Sequence, residues 1–225
     1  MSYRDRVDHL PGDAIGFAYD AVAESYAVLL PNSSFEDSAD LALINRFVEL
    51  LPGRHVLDAG CGAGRMMTHL LSLDDTLDVE GIDLSEERVQ VTRARHPSRR
   101  VEQGDLSRLP YGDGVLDGVL AWYSIIHSAP ASVSAYLAEF ARVLRPNGVV
   151  LVGFHGGASR RDSSHAYGHD VRLSVFGHTT DDIAGVLRDV GVETVAKLDR
   201  PARSVDPGPQ GFVLGVRVPD AVSSV

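Results

Sequence analysis

The stretch His55–Met66, HVLDAGCGAGRM, decides how this chain folds. An apolar run ends in an acid, Asp58. Three glycines, Gly60, Gly62 and Gly64, then alternate with Cys61 and Ala63 before Arg65 opens an amphipathic stretch. This reads as a strand, a bare loop and a helix. Glycine permits positive φ and lets a ligand approach the backbone with no Cβ in the way. The dinucleotide fingerprint G-x-G-x-x-G would place its third glycine at position 65, where Arg65 stands instead. A bulky cation there is expected to disturb the close helix–strand contact, unless the loop takes another shape.

Asp58 narrows the ligand. A carboxylate at a strand tip repels a pyrophosphate and suits a group carrying an ammonium or sulfonium charge. Asp83 closes a second strand in GIDLS, with Leu84 beside it, and an acid there can accept both ribose hydroxyls of a nucleoside. Gly104-Asp105-Leu106 follows a third strand, where the Asp105 carboxylate can take an adenine amino hydrogen. Acids on three successive strand ends describe an adenosine with a positively charged amino-acid tail.

Outward from this region the same alternation continues. HVLDAG, DVEGID, RRVEQGD, VLDGVLAWY and GVVLVGFH read as five strands, each ending near a turn signal or a polar residue. Arg65 to Leu73, Ser85 to Arg95 and Ala131 to Leu144 read as the helices between them, the last stopped by Pro146-Asn147-Gly148. Ala131 to Leu144 places Val133, Leu137, Phe140 and Leu144 on one face. Strand–helix repetition predicts a parallel sheet with helices on both faces. In the last third, Thr180 to Val190 reads as a helix, and VETVAKL and GFVLGVRV as two strands whose pairing adds an antiparallel strand at the sheet edge. Ahead of the glycine loop, Ala14 to Leu30 and Ser38 to Leu51 read as helices placed to lie across a ligand cleft.

The whole chain sets bounds. Its 225 residues suit one α/β domain, 1–225. Within it, 1–52 form a helical cap, 53–153 the cofactor-binding core, and 154–225 an acceptor-pocket segment with the terminal strands. Hydrophobic residues at 44% and charged residues at 23% are ordinary for a soluble globular protein. A net charge of −10 argues against a nucleic-acid partner, which usually demands a basic face. Cys61 is the only cysteine, so no intramolecular disulfide forms. The opening MSYRDRVDHLPGD carries charges where a signal peptide needs an apolar core, and no apolar run reaches transmembrane length. The expectation is a cytoplasmic protein without a membrane partner, monomer or homodimer.

In order and spacing these features resemble the class I S-adenosylmethionine-dependent methyltransferases. VLDAGCGAGR looks like the family's first motif, GIDLSEERV its second and QGDLSRLPYGDGVLDGVLAWY its third and fourth, while RVLRPNGVVLV resembles the approach to its fifth strand. The likeness runs from about Tyr19 to Val218. It implies a Rossmann-like seven-stranded sheet with one antiparallel strand near the C-terminus. It also implies S-adenosyl-L-methionine as cofactor, S-adenosyl-L-homocysteine as product, and a cradle including Gly60, Cys61, Gly62, Gly64 and Arg65. AYDAVAESYA resembles the helix that covers the cofactor in this family, with Tyr19 and Tyr26 near its carboxylate end.

Methyl transfer from a sulfonium needs chiefly alignment, because the cofactor supplies the leaving group. His127 lies beyond the fourth strand in AWYSIIHSAP, where open α/β sheets bind ligands, and an unperturbed imidazole suits general-base work near neutrality. Trp122 and Tyr123 are read as packing against the adenine or the acceptor. Among family members, cytosine-C5 enzymes need a cysteine near the fourth strand, and amino-methylating enzymes on adenine or glutamine carry Asp/Asn-Pro-Pro-aromatic there. This chain has Ala121-Trp122-Tyr123-Ser124. A small-molecule acceptor, methylated at oxygen or nitrogen, is the reading. Four histidines between Phe154 and His178 (His155, His165, His169, His178) lack a His-Glu metal pattern, so no metal is expected. Arg160-Arg161 reads as a solvated pair. Two other classes stay open at this point: a nicotinamide-dependent oxidoreductase on a related sheet, and a non-catalytic S-adenosylmethionine-binding protein.

Overall fold

The computed structural model describes residues 32–163 and 173–219. The helix read over Ala14 to Leu30, with Tyr19 and Tyr26, and the histidines His165 and His169 lie outside the described residues.

Seven strands form one sheet: β1 (His55–Ala59), β2 (Asp78–Asp83), β3 (Val101–Gln103), β4 (Leu116–Trp122), β5 (Leu144–His155), β8 (Val192–Arg200) and β9 (Gln210–Arg217). Their spatial order is β3-β2-β1-β4-β5-β9-β8. β1 pairs in parallel with β2 on one side and β4 on the other, so strand order reverses between β1 and β4. That reversal opens a crevice at the carboxyl ends of the two strands, where such sheets bind ligands.

The terminal hairpin is antiparallel as expected, but its placement differs. β9 runs antiparallel to both β5 and β8, and β8 takes the edge. Burial explains the order. β9 is buried at six consecutive positions, so it needs a neighbour on each side, whereas β8 alternates between covered and exposed residues as a solvated edge does. β5 also begins earlier than the run GVVLVGFH, at Leu144. The Pro146-Asn147-Gly148 turn is absorbed as an irregularity in its pairing with β4, with Asn147 at φ 66°.

Helices cover both faces. α1 (Ser38–Leu50), α2 (Arg65–Leu73) and α3 (Glu86–Arg95) pack Ile44, Phe47, Met67, Leu70 and Val89 on one face. α4 (Pro130–Val143) and α5 (Thr180–Asp189) pack Val133, Leu137, Phe140, Ile183 and Leu187 on the other. The apolar face read on α4 is the one it buries. Fully burying such side chains stabilises by about 1.5–3 kcal/mol each. α1 rests on the sheet through Ile44 and Phe47, and Phe47 lies so close to β4 that a Cβ on Gly118 would meet its ring at 2.8 Å. The residues just ahead of α1, not the helix itself, reach the crevice.

A short hairpin, β6 (Arg160–Ser163) with β7 (Leu173–Phe176), lies between β5 and α5, where no strand was read from sequence. Its RRDS strand has no apolar period to betray it. Side-chain bonds hold it instead: Ser174 Oγ donates to Asp162 at 2.7 Å, and Arg160 Nε donates to the same carboxylate at 3.0 Å. The Phe176 amide donates to the Ile126 carbonyl at 2.7 Å, fastening the hairpin to the rim of the crevice. No helix among the described residues is long and apolar enough to cross a membrane.

Candidate active site

A cleft of about 470 Å³ lies over the carboxyl ends of β1, β2, β4 and β5. That volume falls within the usual size of a small-molecule site. Its walls contain Asp58, Gly60, Cys61, Gly62, Arg65, Asp83, Leu84, Gly104, Asp105, Leu106, Trp122, Tyr123 and His127, all singled out from sequence. Gly64 is the exception. It sits behind the loop at φ 76°, opening α2, and a Cβ there would meet Thr92 at 2.9 Å and His96 at 3.0 Å. Its bareness serves helix packing.

The loop between β1 and α2 is held from beneath. The Gly62 amide donates to Asp83 Oδ2 at 2.8 Å, and the Ser85 amide donates to Asp83 Oδ1 at 3.0 Å. Thr92 Oγ1 donates to the Gly62 carbonyl at 2.7 Å. Asp83 therefore anchors the loop as well as facing the cleft. Gly60 takes φ 81°, and a Cβ on it would strike the Ser124 Cβ at 2.2 Å. The disturbance expected from Arg65 does not arise, because its side chain turns across the cleft to pair with Glu36. Close helix–strand contact comes from Gly81 of β2 instead, where a Cβ would lie 2.9 Å from both Cys61 Sγ and Met67 Sδ.

The electrostatics divide the cleft. Asp58 is 1% exposed, and its Oδ2 has no hydrogen-bond partner among the described residues. Burial above all, with Asp83 adding to it and Arg65 opposing, pushes its carboxyl up to about 7. Burial also raises the Cys61 thiol well above its usual range, which fits a small inert wall residue. On the β2–β3 side, Asp105 accepts from the Ser107 amide at 2.7 Å and stands exposed next to Leu84 and Leu106.

On the β5–β9 side, Trp122 stacks on Phe212 with centroids 5.1 Å apart, and Tyr123, held at φ 58°, tilts against His155 at 5.5 Å. Trp122 and Tyr123 thus line the β5–β9 side of the cleft rather than the side of Asp105. Trp122 Nε1 and Ser124 Oγ are also buried without a partner among the described residues.

His127 lies in the wall as placed, with its Nδ1 donating to the Ser174 carbonyl at 2.7 Å. Its expected titration near neutrality is corrected: burial, then Arg88 and His155, push the imidazole down to about 4 against the effect of the Ser174 carbonyl. The ring is neutral throughout the physiological range.

Several wall residues carried no sequence signal. Arg200 at the end of β8 makes a two-pronged pair with Asp40 of α1 (2.9 and 3.0 Å) and also binds Asp206 at 2.6 Å. Arg203 donates to the Phe35 carbonyl at 2.8 Å and pairs with Asp206 at 2.9 Å. This network joins residues 35–40 and 200–206 into one wall carrying Phe35, Glu36, Arg203 and Asp206. Arg161 is exposed, as read, and also donates to the Pro207 carbonyl at 2.7 Å. One cluster with metal-ligating atoms occurs among the described residues, His55, Asp78 and Glu80. It lies away from the cleft, with Arg99 beside Asp78 and Arg100 beside Glu80.

A sheet of this order, with a glycine loop after β1 and acids ending β1 and β2, defines a Rossmann-like α/β protein built to hold a nucleoside. Residues 56–148 match the family model described as a methyltransferase domain. A demethylmenaquinone methyltransferase of Beutenbergia cavernae is 33% identical over 152 residues, 66% of this chain and 60% of that protein. A probable S-adenosylmethionine-dependent methyltransferase of Mycolicibacterium smegmatis is 37% identical over 145 residues, 64% of this chain and 52% of that protein. The chain thus spans less than two thirds of either relative. Magnesium protoporphyrin IX methyltransferase of Synechocystis, solved with its S-adenosylmethionine bound, shares the fold at a TM-score of 0.66 and 17% identity, over 94% of this chain and 100% of that one. The chain belongs to the class I S-adenosylmethionine-dependent methyltransferase family, whose cofactor is S-adenosylmethionine. Its own residues fit that molecule: a buried carboxylate oxygen with no partner among the described residues suits a cationic tail, and the positive-φ glycines leave room for close approach.

Proposed function

We propose that this protein transfers a methyl group from S-adenosylmethionine to an oxygen or nitrogen of a small-molecule acceptor. One observation carries the reading: a single cleft collects Asp58, Asp83 and Asp105 from three successive strand ends on one side and an imidazole- and aromatic-lined wall on the other. In this reading Asp83 holds the ribose, Asp105 and Leu84 the adenine, and Asp58 the charged tail. When bound, the cofactor supplies the activated methyl group and its leaving group. The chain's part is to hold that methyl in line with the acceptor and exclude water. The protein works as one domain, with residues 1–52 capping the cofactor and 154–225 closing the acceptor pocket, in the cytoplasm and without a nucleic-acid partner.

Calorimetry with S-adenosylmethionine and S-adenosylhomocysteine, followed by labelled-methyl transfer to a metabolite panel, tests the reading. Binding of a nicotinamide dinucleotide in their place would overturn it. Cofactor binding without transfer to any acceptor would favour a non-catalytic binding protein.

Asp83→Ala should weaken both ligands by about 1–3 kcal/mol, roughly 5- to 150-fold, since ribose hydroxyls and the Gly62 amide lose their acceptor together. Unchanged affinity in a folded variant would remove Asp83 from the cofactor site. For His127 the expected result is a lower turnover in His127→Ala at unchanged cofactor affinity, with no pH limb between 6 and 8 in either protein, because the native ring is already neutral there. A limb near 6.5 that only the native protein shows would restore His127 as the titrating base.

A further inference from the structure

His155 ends β5 directly opposite Gln210, the first residue of β9, in antiparallel register. Gln210 is 2% exposed, and its Nε2 donates to the Gly208 carbonyl at 2.7 Å. That bond turns the amide oxygen toward His155 Nδ1, 3.2 Å away. An amide oxygen only accepts, so Nδ1 carries the imidazole proton and Nε2 is left with its lone pair. The ring lies against Tyr123 on the acceptor side of the cleft. It also lines a second cavity of about 190 Å³ between the β6–β7 hairpin and residues 207–209. Chain topology has therefore fixed a basic nitrogen where the main cleft and its side cavity meet.

We propose that His155 Nε2 is the proton acceptor for the methylated substrate, with Gln210 as its positioning residue, and that the substrate is a hydroxyl or N–H compound. The proposal rests on the methyl-transfer reading above. In the step, the substrate heteroatom forms a bond to the methyl carbon and the carbon–sulfur bond breaks with its electron pair left on sulfur. The substrate proton goes to His155 Nε2, and the imidazolium then returns it to solvent. Gln210 Oε1 stays on the Nδ1 proton throughout and favours the charged ring. A carboxylate substrate brings no proton, and its lone pairs would face that of Nε2.

Geometry selects His155: its Nδ1 proton is held by a side-chain amide, and its ring lines both the main cleft and the side cavity. Burial above all lowers the basicity of His155, with Arg161 adding to it and Gln210 and Asp206 opposing, so the ring stays neutral and Nε2 keeps its lone pair; Tyr123 is its aromatic neighbour.

Long-range proton–nitrogen spectra of protein carrying ¹⁵N-labelled histidine test the assignment, with His155→Gln identifying the resonance. The expected spectrum shows His155 protonated at Nδ1 and bare at Nε2 from pH 6 to 8. Gln210→Leu should release it toward the tautomer protonated at Nε2, and Gln210→Glu, which keeps an acceptor opposite Nδ1, should hold it. The second variant decides if the first does not fold.

Diethyl pyrocarbonate, which acylates a bare imidazole nitrogen, should modify His155 in the native protein, as located by peptide mass mapping. An Nε2–H tautomer in the native protein, or a His155 left unmodified while His55 reacts, overturns the proposal. Calorimetry with S-adenosylhomocysteine on the same samples separates the two failures: loss of cofactor binding in the native protein defeats the methyl-transfer reading, whereas intact binding with the wrong tautomer defeats only the role of His155.

Discussion

Replacing Gly62 with Val should take cofactor affinity below detection, a loss of more than about 100-fold or ~2.7 kcal/mol, at any salt concentration. Gly62 sits at φ 53°, a left-handed conformation that a β-branched residue adopts only under strain of roughly 1–3 kcal/mol. Its amide is fixed on Asp83 and its carbonyl on Thr92, so the loop has little freedom to relieve that strain. The new side chain also enters the wall the cofactor must touch. Calorimetry with S-adenosylhomocysteine, together with circular dichroism to show that the variant folds, measures the effect. Native-like affinity in folded Gly62→Val would mean that the loop is not the cradle, and the cofactor placement would fail with it.

Asp58→Asn should do two opposite things: stabilise the cofactor-free protein and weaken cofactor binding. Burial raises the folded-state pKa of Asp58 from 3.8 to about 7, so keeping it ionised costs folding free energy above pH 7. At about 1.36 kcal/mol per unit the cost is on the order of 4 kcal/mol, an upper bound. It shrinks as pH falls from 7 toward 4, because the folded protein takes up the proton before the unfolded chain does. Asn keeps the shape without the charge. Denaturant unfolding should therefore show the variant ahead of the native protein at pH 8 and the gap closing by pH 4.

Binding supplies the converse measurement. A cationic cofactor group beside Asp58 lowers its pKa, so binding to the native protein should release up to one proton between about pH 5 and 7. Calorimetry in two buffers of different ionisation enthalpy detects that proton, and Asp58→Asn should abolish it. Equal stabilities at pH 8 and no proton release would mean that Asp58 is ionised and satisfied without the cofactor.

Most of the β1–β3 side of the cleft was legible in the sequence because its signals are local. Asp58, Gly60, Gly62, Asp83 and Asp105 each end a strand or follow one within a few residues, and a strand followed by a glycine turn and a helix leaves little choice of geometry. Ser85 capping α3 through the Arg88 amide, and Thr179 capping α5, are likewise neighbours of what they bind. Gly64 shows the limit of such reading. It belongs to the same glycine run, yet whether a bare Cα faces a ligand or the side chains of Thr92 and His96 depends on how α3 packs.

The opposite wall was scarcely legible, because its residues meet only through long-range pairing. Gln210 reached His155 through strand register, Arg200 reached Asp40 across 160 residues, and Glu36 met Arg65 across the cleft. None of these pairs has a spacing that a sequence pattern could reveal. His127 was found at its place in the wall but with the wrong titration, since position beyond a strand is a local property and desolvation is not.

The sequence by itself determined the strand–loop–helix unit at Asp58, the parallel core, the antiparallel sense of the terminal hairpin and the acids that face the cleft. All of these follow from backbone sterics, hydrophobic period and residues adjacent in the chain. Tertiary structure alone decided that β9 lies inside the sheet and β8 at its edge, that Arg65 turns to Glu36, and that Gln210 faces His155. Those outcomes depend on which surfaces are excluded from water once all the elements have packed, and burial of that kind is set by the whole fold rather than by any one segment.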